Sequence, residues 1–293
     1  MLKVLLQLRP ADALNFFFLA ILTVITVAYR HIVDHTAYLI LLYSGLFFGQ
    51  ALLMLFGERN RVFHWTYHLI FPTISILAIF DSLEHLVHAI NPRDIDPLLI
   101  SLDHLLFGGH PTVMMEHIMV PLLTDLLQVA YSSYYFLPVT LGAVLLIRRK
   151  EDAFDRSLFL IMFCFYLSYA GYLLFPALGP RFTMNHLQHE ELRGLFLTAP
   201  IQELLNRLEG IKRDAFPSGH TGIALTVLVL SRRYEKTLFR LFLPFVTALI
   251  FSTVYLRYHY VVDVLAGIIL AALTLFLGDA YYGYRQKRFR SDH

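Results

Sequence analysis

"FPSGHTGIALTVLVL", residues 216–230, joins two kinds of sequence that seldom meet. Proline, serine, glycine and histidine stand in a row at 217–220, and an apolar run begins at once. A helix start leaves backbone N–H groups without partners and carries the positive end of the helix dipole. The stretch therefore reads as a histidine set at the mouth of a membrane helix. That reading decides the fold: an all-α integral membrane protein with its chemistry at the ends of its helices.

Composition agrees. The chain has 293 residues, 57% hydrophobic and 16% charged, with mean hydropathy +0.59. A soluble domain is nearer a quarter charged. The net charge of +2 points to no nucleic-acid partner. Cys164 is the single cysteine, so no intrachain disulfide forms. The first apolar run has no small-residue cleavage site after it and reads as a retained span.

Working outward from 217–230, eight runs are candidate spans: 13–29, 37–56, 65–90, 130–147, 157–175, 217–230, 238–256 and 258–278. The fourth extends backward through "MVPLLTDLLQV". Residues 1–64 are expected to form two N-terminal transmembrane helices and 65–293 a catalytic transmembrane domain. Between the third and fourth spans, "IDPLLISLDHLLF" (95–107) places leucines at helical spacing with Asp96, Ser101, Asp103 and His104 between them. It reads as an amphipathic helix in the interface plane, or else as a short helix packed between spans.

Basic residues set the orientation. Lys3, Arg9, Arg59, Arg61, "RRKEDAFDR" (148–156), "SRRYEKTLFR" (231–240) and "YRQKRFR" (284–290) fall on one side. The other side holds Arg30, Arg93, Arg181, Arg193, Arg207, Lys212, Arg213 and Arg257. Both termini are therefore expected in the cytoplasm, with 217–220 at the outer face. The tail at 284–290 reads as an anchor on anionic lipid.

Three clusters share that outer face: "FPALGPRF" (175–182), "FPSGHTG" (216–222) and "YLRYHYVVD" (255–263). Ser218 and Gly219 open a helix whose start favours an anion. Arg181 and Arg257 can each grip two phosphate oxygens. His259 and Asp263 are four apart and share a helix face, the arrangement of an oriented nucleophile. His220 would be the acid that protonates a leaving oxygen.

"PSGH" and "HYVVD" resemble the second and third signature motifs of the type 2 phosphatidate phosphatase superfamily. That superfamily holds lipid phosphatases, sphingolipid phosphotransferases and vanadium haloperoxidases. "GPRF" and "YLRYHYVVDVLAG" (255–267) resemble its inositol phosphorylceramide synthase branch most, and the likeness covers roughly 130–280. It implies a six-helix-type core acting on a phospholipid or other lipid phosphate. It makes His259 the nucleophile that forms a phosphohistidine, Asp263 its orienting partner and His220 the general acid. Ser218, Gly219, Arg181 and Arg257 would hold the phosphate, without a metal or other cofactor. Two positions depart from the pattern. Leu174 stands where the first motif has a lysine, and Thr253 where the third has an arginine. Lys212 and Arg213 are candidate substitutes for the lysine. Hydrolysis and transfer to a lipid alcohol differ only in the final acceptor, and a phosphatase is the first expectation. A transporter would show repeated halves, and none is visible. An inactive lipid-binding relative would not need His220, His259 and Asp263 together.

The pairs His31/His35 and His64/His68 have metal-ligand spacing on a helix, and "DSLEHLVH" adds Asp81, Glu84, His85 and His88. We read this last group as an outer-face polar network or a headgroup contact in preference to a metal site. The aromatic clusters "NFFF" (15–18) and "SSYYF" (132–136) read as lipid-facing or interfacial packing.

Overall fold

The computed structural model describes residues 8–56, 59–208 and 210–291. Lys3, residues 57 and 58 of the turn after the second span, and the last two residues lie outside it. So do the basic side chains of the tail from 286 onward.

The described chain is built of helices, numbered in chain order. They are α1 (Pro10–Ala28), α2 (Thr36–Phe56), α3 (Arg61–Ser82), α4 (Glu84–Ile90), α5 (Asp96–Phe107) and α6 (Pro121–Ile147). Then come α7 (Glu151–Leu174), α8 (Thr198–Leu208), α9 (Gly219–Tyr234), α10 (Lys236–Tyr255) and α11 (Val261–Ser291). Seven of these are long and apolar enough to cross a membrane: α1, α2, α3, α6, α7, α10 and α11. The remaining expected span, the sixth, is α9, which has 16 residues. At 1.5 Å per residue it is about 24 Å long, short of the roughly 30 Å hydrocarbon core.

Helix α9 is the centre of the bundle. It is buried along most of its length and packs on α7, α10 and α11. Two glycines bring α9 and α11 together. A Cβ on Gly267 would meet the Ser218 carbonyl at 2.6 Å, and one on Gly222 would meet the Gly267 carbonyl at 3.3 Å. A side chain at either position would push the helix start away from its neighbour.

The third span departs from its expected bounds: it stops at Ser82 and the chain resumes as α4 after Leu83. The fourth reaches back to Pro121, within the expected extension, and loosens into a 3-10 turn at Ser133–Tyr135. At the end opposite the site, Arg148 and Lys150 close on Glu235 at 2.9 and 3.2 Å. Near the start of α1, Arg9 and Tyr67 both donate to Asp12, and Gln50 donates to Asp12 at 2.9 Å. Arg9 also meets His68 Nδ1 at 2.6 Å, joining this histidine to the same cluster.

Helix α5 lies at the site end. Leu98, Leu105, Leu106 and Phe107 are exposed, while Asp96 and Asp103 are buried. Its two acids point inward, not to water as a polar outer face would require.

Candidate active site

The three clusters converge where α7 ends, α9 begins and α10 hands over to α11. Ser218 caps α9, accepting from Thr221 N at 3.3 Å. Its own N–H donates to the Asp263 carbonyl at 3.1 Å, tying the start of α9 to the start of α11. Gly179 (φ +86°) lets the first loop lie against the third: a Cβ there would meet the Tyr258 carbonyl at 2.5 Å. Arg181 N donates to the Arg257 carbonyl at 2.8 Å across the same seam.

His259 is 2% exposed. Its Nδ1 lies 2.8 Å from the Ala215 carbonyl. A carbonyl only accepts, so Nδ1 carries the proton and the Nε2 lone pair is free. Burial pushes the imidazole down to about 4, so it is neutral at pH 7. Asp263 Oδ2 stands 3.5 Å from the same Nδ1 and accepts Tyr260 N at 2.8 Å. The tautomer is thus set first by the Ala215 carbonyl, with Asp263 behind the ring. His259 Nε2 faces His220 Nδ1 at 3.5 Å. His220 Nε2 is buried and has no hydrogen-bond partner among the described residues.

These histidines, with Arg181, Lys212 and Asp214, line a cavity of about 340 Å³. The other expected phosphate ligands are directed elsewhere. The Ser218 hydroxyl is fully buried in its cap, and Gly219 packs on the Tyr172 hydroxyl. Arg257 Nη2 donates to Glu116 Oε1 at 2.8 Å and to the Glu190 carbonyl at 2.7 Å. Leu174, at the departed lysine position, is exposed on the bundle surface. Arg213 is paired with Asp94 at 2.8 Å.

His220 lies between two tyrosine rings, Tyr131 at 4.5 Å and Tyr134 at 4.3 Å. Tyr134 belongs to "SSYYF". The cluster was expected to face lipid or to pack at the interface; Phe136 is exposed, while Tyr134, in the 3-10 turn, packs on His220. Asp214, Tyr131 and the Ala215 carbonyl are site groups that the sequence reading missed. Only Asp214 was signalled, by its place beside the second motif.

The "DSLEHLVH" segment serves the loop that enters the site. Glu84 accepts Lys212 N at 3.1 Å, and His88 stands 3.5 Å from Asp94. Among the described residues, no group of three or more His, Cys, Asp or Glu side chains is placed to hold a metal ion.

Seven apolar helices define a polytopic membrane protein, and its buried histidine pair borders a polar cavity. A family model described as the PAP2 superfamily matches residues 98–277, more than half of the chain. The protein belongs to the PAP2 superfamily. None of the curated proteins or solved structures matches it significantly. Membership supports a lipid phosphatase or phosphotransferase of the membrane.

Proposed function

We propose that the protein cleaves a lipid phosphate ester through a phosphohistidine on His259, as a phosphatase at the extracytoplasmic face. One observation carries the lipid part. His220 and Asp214 line the polar cavity and also an apolar groove between α3, α6 and α7, walled by Phe80, Val139 and Phe165 among others. His220 therefore stands where a polar cavity that also holds His259 meets a channel suited to an alkyl chain.

His259 Nε2 attacks phosphorus, and the bond from phosphorus to the chain-bearing oxygen breaks. His220, charged once the phosphate anion sits beside it, gives that oxygen its proton. Asp263 and the Ala215 carbonyl stabilise the positive charge that grows on the His259 ring. Arg181 and Lys212 face the phosphate oxygens. Water then attacks phosphorus, its proton passes to His220, and the P–N bond breaks to free His259.

A second reading is transfer of a phospho-headgroup from a phospholipid to a lipid alcohol. Asp214 favours it. A carboxylate in the same cavity as Arg181 and Lys212 opposes the second negative charge of a phosphate monoester and suits a diester, which carries one.

Purified protein with paired lipid monoesters and diesters, with and without a long-chain alcohol, tests both readings. Free phosphate from monoesters supports the phosphatase, and headgroup transfer supports the second. Neither product from any substrate would refute the proposal. The outward orientation is tested by cysteines at Asn185 and Glu151, with Cys164 replaced. Only the first should react with an impermeant reagent in intact cells, and the reverse would turn the site to the cytoplasm.

A further inference from the structure

We propose that Asp96 and Asp103 of α5 are positioning residues that hold the loops of Arg181 and His259 in register. The inference rests on the proposed role of that pair in phosphate chemistry.

Both acids are 2% exposed. A buried carboxylate is costly unless its oxygens are hydrogen-bonded. Among the described residues, every bond these two accept comes from the loops that build the site. Asp96 Oδ2 accepts Leu178 N at 2.9 Å, and Oδ1 accepts Gly179 N at 2.8 Å. These amides lie two and three residues before Arg181. Oδ1 also accepts the Tyr260 hydroxyl at 2.8 Å, one residue after His259. That hydroxyl also lies 2.6 Å from Thr183 Oγ1, and Thr183 Oγ1 is 3.0 Å from the Gly179 carbonyl. Asp96 therefore joins the first and third loops directly.

Asp103 completes the grip. Its Oδ2 accepts Val261 N at 2.9 Å and its Oδ1 accepts Val262 N at 3.0 Å. These are the first two amides of α11, which have no partner within their own helix. A carboxylate from another helix thus caps α11 two residues after the nucleophile, where the dipole favours negative charge. Seven residues separate the acids, two helical turns, so both face inward together. The backbone adds a further tie, Ile95 N to the Pro176 carbonyl at 2.8 Å.

Neither acid lines the cavity, so their effect passes through the loops. Displacing a reacting group by about 1 Å costs on the order of 10² in rate. An asparagine at either position turns one acceptor into a donor that faces N–H or O–H groups. The test is kinetics and vanadate binding of full-length Asp96→Asn and Asp103→Asn in nanodiscs, normalised to folded protein. Tyr260→Phe serves as a milder variant that removes one hydroxyl. Ser101→Ala, on the exposed face of α5, is the control.

The expected result is a loss of kcat on the order of 10²-fold for each Asp→Asn variant, with KM little changed and vanadate held more weakly. Tyr260→Phe should lose less, and Ser101→Ala nothing. Variants with lowered yield but unchanged kcat and vanadate affinity per folded molecule would overturn the positioning role and leave a purely structural one. Wild-type protein that neither turns over nor binds vanadate would refute the proposed function, and this inference with it.

Discussion

Replacing Arg257 with alanine separates two roles for this residue. Its Nη2 bonds Glu116 and the Glu190 carbonyl, and the paired side chains are 8% and 10% exposed. Glu116 also accepts His189 N at 3.0 Å, so the pair straps the long polar loop onto the third motif. Removing the guanidinium leaves a nearly buried carboxylate with one backbone partner. Breaking a buried pair from one side costs about 3–5 kcal/mol. The backbone acts in the opposite sense. Arg257 has φ +64°, a left-handed conformation that costs a non-glycine residue about 1–2 kcal/mol. Arg257→Gly should therefore be less destabilised than Arg257→Ala by about 1 kcal/mol. Denaturant unfolding in detergent measures both. A double-mutant cycle with Glu116→Ala should give a coupling of about 2–3 kcal/mol. Additive effects, with Arg257→Ala costing under about 1 kcal/mol, would refute the strap. Normal stability together with a large loss of kcat would instead put the guanidinium on the phosphate.

Other outcomes follow from the histidine pair. His220→Ala should slow lipid substrates by on the order of 10²–10⁴ and aryl phosphates far less, because a good leaving group needs no acid; equal losses on both would contradict the role. His259 is held near 4, below the usual 6.5 or so, so its lone pair should stay available and kcat/KM should show no nucleophile limb until the pH nears 4. The unfolded chain takes that proton first, so His259's contribution to stability is full above about 6.5 and falls as pH drops from there towards 4, which melting temperatures can follow. Activity should survive a strong chelator and be inhibited by vanadate; loss in chelator, restored by one divalent ion, would contradict the roles assigned to His259 and His220.

Much of the fold was legible because apolar runs declare membrane helices without reference to their neighbours. The turn at 216–222 and the His259/Asp263 spacing are local, and the structure brings them together. What sequence hid depends on distant packing. Asp96 and Asp103 fitted either an interfacial helix or a short packed one, and only the docking of α5 onto two loops decides that they face inward. Arg257 stood close enough to His259 to suggest the phosphate, yet its left-handed backbone sends the guanidinium to Glu116. Tyr134 belonged to an aromatic run with no mark to separate it from Phe136, which faces outward. The Ala215 carbonyl that fixes the His259 tautomer belongs to a residue whose side chain has no chemistry to notice.

The central claim is that His259 carries the phosphoryl group in mid-reaction. Rapid mixing with a phosphorus-labelled lipid phosphate, an alkaline quench and peptide mapping test it directly. The account predicts a transient, acid-labile label on the peptide containing His259, absent from His259→Ala, which should also be inactive. A label on another residue, or full turnover by His259→Ala, would contradict it.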